Sequence, residues 1–167
     1  MTKFVEFRMA KEIKFNVNGI ARITHNGQEE TLLHFLREKI GLRATRFGCG
    51  QGTCGSCMVI IDGQPKMACE TFTDGLAGKN IQTAESLTEE LIHPLIMTFQ
   101  EHQAGQCGYC LPGILMTSKA LLDENPNRTR EEIAEALDSN LCRCGAHSRI
   151  LDAVQKAASI LKEVEQV

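Results

Sequence analysis

The chain has 167 residues, 8 of them cysteine, and its 18 basic and 21 acidic side chains leave a net charge of -3. This length suits one domain or two small ones, and the near balance of charge disfavours a nucleic-acid partner. The sequence has neither the ~20 consecutive apolar residues of a membrane-spanning helix nor the apolar stretch of a secretory signal, so we expect a cytoplasmic protein without direct membrane insertion.

The first half of the chain has the pattern of strands around one helix. Ile13–Val17 alternates apolar and polar residues, as a half-buried strand does, and Asn18-Gly19 is a hairpin signal that leads into a return strand at Ile20–Thr24. The remaining elements predicted here are a helix over residues 31–39, a buried strand at Met58–Ile61, a return strand over residues 66–71 and a short strand over residues 80–83. This order predicts an α+β fold with the helix on one face of a sheet.

The second half has the pattern of helices. Residues 86–89 fit a capping box, and Pro94 suits the first turn of a helix that follows. A second helix is predicted over residues 111–123, a second capping box over residues 129–132, and a last helix from about Arg149. Four helices with short connections predict a small bundle, and we place the boundary between the halves so that the domains are residues 1–84 and 85–167.

Four cysteines lie in the first half, at Cys49, Cys54, Cys57 and Cys69. The first three have the spacing of a plant-type ferredoxin, which binds a [2Fe–2S] cluster through four thiolates. Glycines at positions 48, 50, 52 and 55 permit positive φ angles and a close approach of N–H groups to sulfur. Structural zinc is the main alternative, and disulfides are disfavoured in a reducing compartment.

The other four cysteines form two close pairs in the second half, Cys107 with Cys110 and Cys142 with Cys144. Each pair precedes a predicted helix, whose N-terminal N–H groups and dipole stabilise anionic thiolates. Their spacing alone leaves a structural zinc site open. Beside a ferredoxin-type half, we favour a second iron–sulfur cluster.

Three motifs together, at residues 48–57, 106–113 and 140–144, resemble the small iron–sulfur subunit of the molybdenum hydroxylase family. That family includes xanthine dehydrogenase, aldehyde oxidoreductase and carbon monoxide dehydrogenase. The resemblance covers roughly residues 11–161 and includes all eight cysteines in order. It implies an N-terminal β-grasp, plant-type ferredoxin domain followed by a four-helix [2Fe–2S] domain.

The resemblance also implies a division of labour within a hetero-oligomer. A large partner subunit would hold molybdenum on a molybdopterin cytosine dinucleotide and hydroxylate the substrate, an N-heteroaromatic compound or an aldehyde. Electrons would pass singly through the cluster of the second half and then through that of the first. They would reach FAD on a medium subunit or the haem of a cytochrome, so this chain itself would carry no catalytic residue.

Ligands carry over residue by residue from the same resemblance. Cys107, Cys110, Cys142 and Cys144 correspond to the cluster nearer molybdenum, and Cys49, Cys54, Cys57 and Cys69 correspond to the distant cluster. Gln106 corresponds to a glutamine that hydrogen-bonds the pterin in that family. Cys144 corresponds to a ligand cysteine that also lies against the pterin. Without the resemblance, Gln106 would be interpreted as a solvated polar residue before a metal-binding loop.

The sequence departs from the family pattern at a few positions. Gln51 replaces a usual Glu, Ser56 replaces a usual Ala, and the run Gly145-Ala146-His147 resembles nicotinate- and isoquinoline-type hydroxylases. The first ten residues extend beyond the usual start, either as an edge strand through residues 4–7 or as a tail. Two other interpretations remain open at this stage: a zinc-stabilised interaction module and a free-standing ferredoxin.

Overall fold

The computed structural model describes residues 12–25, 30–89 and 91–165. The edge strand expected through residues 4–7 lies outside these ranges. Across them, no helix is both long and apolar enough to cross a bilayer. A mixed sheet is followed by helices, which is the α+β architecture expected from the sequence.

Five strands form one sheet in the order β2-β1-β5-β3-β4. Their bounds are β1 Ile13–Val17, β2 Ile20–Thr24, β3 Met58–Ile61, β4 Gln64–Met67 and β5 Asn80–Gln82. Strands β1 and β5 pair in parallel, and the other neighbours pair antiparallel. The first hairpin is confirmed, since Asn18 and Gly19 take φ angles of 49° and 76°, as its two-residue turn requires.

Strand β4 begins earlier than the predicted return strand over residues 66–71. The turn at Asp62 and Gly63 has two residues, with φ angles of 48° and 81°, so Gln64 already pairs with Ile61. The strand ends at Met67 and the chain then turns. Cys69 therefore lies in a turn beyond the strand.

The helix predicted over residues 31–39 is only partly α-helical. Thr31 caps it by accepting a hydrogen bond from the His34 N–H, and α1 spans Leu32–His34. The chain then widens into a π-helical segment at Phe35–Lys39, where the Ile40 N–H donates to the Phe35 carbonyl. This arrangement packs the Phe35 ring edge-on against Phe15 of β1, with centroids 5.2 Å apart.

Strand β3 is buried on both faces, which explains its unbroken apolar sequence. Val59 packs into a core between the sheet and α1, whereas Met58 and Ile60 pack into a second core formed by the helices. Side chains alternate along a strand, so neighbouring residues enter different cores. The strand therefore joins the two halves of the chain.

The helices of the second half are α2 Pro94–Glu101, α3 Leu111–Glu124, α4 Arg130–Ala136 and α5 His147–Glu165. The capping box of Thr129 and Glu132 at α4 is confirmed. The one expected at residues 86–89 is wrong: the segment is a 3-10 helix, Ala84–Thr88, in which the Ser86 hydroxyl donates to the Thr83 carbonyl. Helix α5 begins two residues before Arg149 and buries a stripe of small and branched residues, namely Ile150, Ala153, Val154, Ala157 and Ala158.

Candidate metal centres

Backbone N–H groups in the loop between α1 and β3 point at the sulfurs of the first cysteine set. The Gly52 N–H donates to Cys69 Sγ at 3.4 Å, and the Cys49 N–H donates to Cys54 Sγ at 3.3 Å. Two more N–H groups, those of Gln51 and Thr53, donate to Cys49 Sγ at 3.4 and 3.3 Å. Donors of this kind stabilise negative charge on sulfur and tune the reduction potential of an iron–sulfur cluster.

Hydrogen bonds lower the pKa of one thiol of the first set, whereas burial raises the pKa of another. Hydrogen bonds from the Thr53 side chain and from the Gln51 and Thr53 N–H groups lower the pKa of Cys49 to about 6. Burial raises the pKa of Cys57 to about 12, helped by its contact with Cys69. One thiol therefore ionises readily near neutral pH, while the buried one releases its proton when a cationic group binds its sulfur.

The glycines of this loop leave room beside the sulfurs. A Cβ atom on Gly48 would lie 2.6 Å from Cys54 Sγ. Gly52 has a φ of 68°, and a Cβ there would lie 2.0 Å from the Glu70 carboxyl carbon. The sulfur beside Gly48 and the positive φ of Gly52 thus favour glycine at these two positions.

The second cysteine set comes together from two loops. Cys110 is the N-cap residue of α3, as the sequence predicts, and Cys144 lies three residues before the start of α5. The thiol of Cys107 contacts that of Cys144, and the thiol of Cys110 contacts that of Cys142. All eight cysteines are free thiols.

The pKa values of the thiols in the second set are also shifted in different directions by their surroundings. Burial raises the pKa of Cys110 to about 12. The Tyr109 N–H donates to Cys107 and lowers its pKa. Burial alone would raise the pKa of Cys142, but hydrogen bonds led by the Ala146 N–H outweigh it and lower the pKa. The set therefore combines two thiols whose pKa is lowered by hydrogen bonds with one whose pKa is raised by burial.

The pairing of the sulfurs suits a two-iron cluster better than a single ion. Zinc would need all four thiolates around one point, at about 2.3 Å from the metal. Each set instead consists of two contacting pairs of thiols. A [2Fe–2S] cluster needs two thiolates on each of its two irons, and the residues present fit it.

Gln106 is exposed and joins the two loops of the second set. Its amide Nε2 donates to the Cys144 carbonyl at 3.3 Å. The contact with this carbonyl gives Gln106 a defined place beside the cysteines. His147 is exposed at the first position of α5.

Two residues of the motifs at 106–113 and 140–144, to which the sequence analysis gave no role, hold the halves together beside the thiols. Asn140 is 5% exposed, and its Nδ2 donates to the Gly55 carbonyl at 3.2 Å. Gly113 lies inside α3, where a Cβ would be 2.1 Å from the same carbonyl oxygen. A glycine within a helix is costly, and this cost was the available sequence signal for close packing at Gly113.

Two family profiles match the chain. One, described as "2Fe-2S iron-sulfur cluster binding domain", matches residues 15–88, and the other, described as "[2Fe-2S] binding domain", matches residues 83–155. The first includes Cys49, Cys54, Cys57 and Cys69, and the second includes Cys107, Cys110, Cys142 and Cys144. Each profile therefore includes one of the two sets.

Whole-chain relatives agree with the profiles. One subunit of the nicotinate dehydrogenase of Pseudomonas putida is 44% identical over 90% of this chain and 96% of its own length. The small subunit of nicotine 6-hydroxylase from Paenarthrobacter nicotinovorans is 40% identical over 87% of this chain and 88% of its own length. In the crystal structure of quinoline 2-oxidoreductase from Pseudomonas putida 86, one chain superposes with a TM-score of 0.85 at 37% identity, covering 92% of this chain and 96% of that one.

Proposed function

Because the chain belongs to the small iron–sulfur subunits of the molybdenum hydroxylase family, we propose that it carries two [2Fe–2S] clusters and passes electrons one at a time between partner subunits. A [2Fe–2S] cluster accepts and releases a single electron, so two of them can serve centres that react by two electrons. This chain contributes the cluster ligands, the distance between the clusters and the charges around them. Substrate chemistry takes place on a large molybdopterin-binding subunit.

The observation that carries the proposal is the grouping of eight free thiols into two sets, each built from contacting pairs. We assign one cluster to the first set and one to the second. The division of the chain near residue 84 into a ferredoxin-like domain and a four-helix domain is part of the same proposal. The family profiles, which meet at residues 83–88, support that division.

The second set receives electrons and the first set delivers them. The assignment of the second set as the electron entry site is supported by solvent exposure. Cys107 and Gln106 are both exposed, so a partner's pterin can approach them. Gln106 already donates one amide hydrogen to the Cys144 carbonyl, and its amide keeps a second hydrogen and its oxygen for the pterin. We therefore assign Gln106 and Cys144 as the pterin-facing residues.

The complete enzyme acts on an N-heteroaromatic compound or an aldehyde. The named relatives are a nicotinate dehydrogenase, a nicotine hydroxylase and a quinoline oxidoreductase, all named for N-heteroaromatic compounds. The large subunit would hold a molybdopterin cytosine dinucleotide, and the electron acceptor would be FAD on a medium subunit or a cytochrome haem. The chain therefore works as one part of a hetero-oligomer.

The test is to purify the complex through a tag on this chain, identify the copurifying subunits and record electron paramagnetic resonance spectra after reduction. We expect a molybdenum-containing large subunit and two distinct [2Fe–2S] signals. A colourless chain that contains zinc would contradict the redox role. A chain that carries both signals but copurifies with no partner would support a free-standing ferredoxin instead.

A further inference from the structure

Tyr109 lies between two cysteines of the second set, yet its side chain contacts the loop of the first set. Its hydroxyl donates a 2.5 Å hydrogen bond to the Phe47 carbonyl, and its ring centre lies 5.7 Å from the guanidinium carbon of Arg46. Arg46 and Phe47 come directly before the glycine-rich loop that contains Cys49. Tyr109 is the only tyrosine of the chain, so no other phenol can replace this contact.

The Phe47 ring lies over the bend of the first loop. Gly50 has a φ of 70°, and a Cβ atom there would be 2.9 Å from the tip of the Phe47 ring. Phe47 is 58% exposed, so burial does not hold the ring in place. The Tyr109 hydroxyl, which donates to the Phe47 carbonyl, therefore holds this residue from the other loop. An apolar ring at this bend covers part of the loop that contains Cys49 and limits the access of water there.

Arg46, which also contacts Tyr109, is held in place by its own main-chain hydrogen bond. The Arg46 N–H donates to the Ser56 carbonyl at 3.2 Å, which fastens the entry of the loop to its exit. The guanidinium group lies over the Tyr109 ring, in the range of a cation–π interaction. At the other end, the Tyr109 N–H donates to the Cys107 thiol of its own set. One residue thus contacts the loops of both cysteine sets.

We propose that Tyr109 is a positioning residue for the first set: from within the second loop it holds Phe47, whose ring lies over Gly50, and so sets the solvent exposure and reduction potential of the cluster bound there. This inference rests on the proposed function, because it requires a redox-active cluster on the first set. It assigns to the phenol hydroxyl a task that a phenylalanine at the same position could not perform.

The test is a redox titration of the whole complex, followed by electron paramagnetic resonance, for the wild type, Tyr109→Phe, Phe47→Leu and the double variant. The first-set signal is identified as the one lost in Cys54→Ser. Thr71→Val is the matched control, because the Thr71 hydroxyl also donates to a main-chain carbonyl near the first set, that of Met67, but joins no second loop.

Tyr109→Phe and Phe47→Leu should each shift the first-set signal to higher potential, because water then stabilises the more negatively charged reduced cluster. The second-set signal and the Thr71→Val control should stay at the wild-type potential. The double variant should shift no further than Phe47→Leu alone, since Tyr109 acts through Phe47.

An unchanged first-set potential in Tyr109→Phe, or additive shifts in the double variant, would overturn the inference. If Phe47→Leu fails to retain its cluster, amide hydrogen exchange at residues 48–50 of Tyr109→Phe decides: faster exchange supports the positioning role and wild-type exchange overturns it. Absence of both signals from the wild-type complex would instead refute the proposed function, so the two failures are distinguishable.

Discussion

The backbone N–H of Leu141 donates a 3.0 Å hydrogen bond to the carbonyl of Cys54. Leu141 directly precedes Cys142, so a single main-chain hydrogen bond links a residue of the first cysteine set to the neighbour of a residue of the second. Both partners are main-chain groups, and their contact fixes the separation of the two loops. The residues around this bond provide the first two predictions.

Asn140→Ala should destabilise the chain. The Asn140 side chain is buried, and the substitution removes its hydrogen bond to the Gly55 carbonyl, which then keeps only the Met58 N–H as a donor. We expect a loss of about 0.5–1.5 kcal/mol in the free energy of unfolding, the net value of one hydrogen bond, measured by urea denaturation with circular dichroism. The control is Asn16→Ala, which removes an exposed hydrogen bond to Asn80 and should cost less than about 0.5 kcal/mol. Equal losses in the two variants would contradict the role of Asn140.

Gly113→Ala should push α3 away from the first loop. The new methyl group would lie 2.1 Å from the Gly55 carbonyl oxygen, and a main-chain oxygen in a packed loop cannot move aside cheaply. We expect a loss of about 1–3 kcal/mol or more, seen as a lower thermal midpoint. Gly75→Ala is the control, since a Cβ there meets no atom within 4 Å. A Gly113→Ala variant as stable as Gly75→Ala would show that the two loops can separate without cost.

His93 should make stability depend on pH. Burial, helped by Lys119, lowers the pKa of His93 below its ordinary value of 6.5, and neutral Nδ1 accepts a hydrogen bond from the Leu95 N–H at the start of α2. The folded state therefore binds fewer protons than the unfolded state. This contribution to stability is present above pH 6.5 and is lost as the pH falls through the lowered folded-state pKa.

The measurement for His93 is urea unfolding across this pH range. His93→Asn keeps a good N-cap side chain but does not titrate, so its stability should vary less with pH than that of the wild type. His25→Asn, which replaces an exposed histidine, should keep the wild-type dependence. Parallel curves for wild type and His93→Asn would exclude His93 as the source.

Substitution of single cysteines should remove the proposed clusters one set at a time. Cys107→Ser and Cys142→Ser should each abolish the same paramagnetic signal and stop turnover of the complex, since both thiols belong to the second set. Cys54→Ser should abolish the other signal. Survival of both signals in Cys107→Ser, or loss of different signals in Cys107→Ser and Cys142→Ser, would contradict the ligand assignment.

Gln106→Ala should slow electron entry without removing a cluster. The variant loses the donor to the Cys144 carbonyl and the proposed contact with the pterin. We expect both paramagnetic signals to remain, while reduction by substrate slows by roughly 2- to 10-fold, the equivalent of one neutral hydrogen bond. Stopped-flow absorbance measures this rate, and Gln100→Ala on the exposed side of α2 is the control. Unchanged kinetics in Gln106→Ala would refute its role.

The sequence by itself determined the local features of the chain. Two-residue turns such as Asn18-Gly19, the capping box of Thr129 and Glu132, and the glycines beside the cysteines are each specified by neighbouring residues. The spacing of the cysteines divides them into two sets for the same reason. Such signals act over a few residues, so they can be recognised without knowledge of the packing.

Only the tertiary structure decided how the two halves meet. Tyr109 reaches Phe47 across 62 positions and Asn140 reaches Gly55 across 85, and no local pattern specifies either contact. The π-helical segment after α1 likewise departs from a plain helical pattern. These features depend on the cores on the two faces of β3, which form only when distant segments pack together. Local propensity fixes the elements and the candidate ligands, whereas burial and steric fit between distant segments fix the distance and the contacts between the two sets.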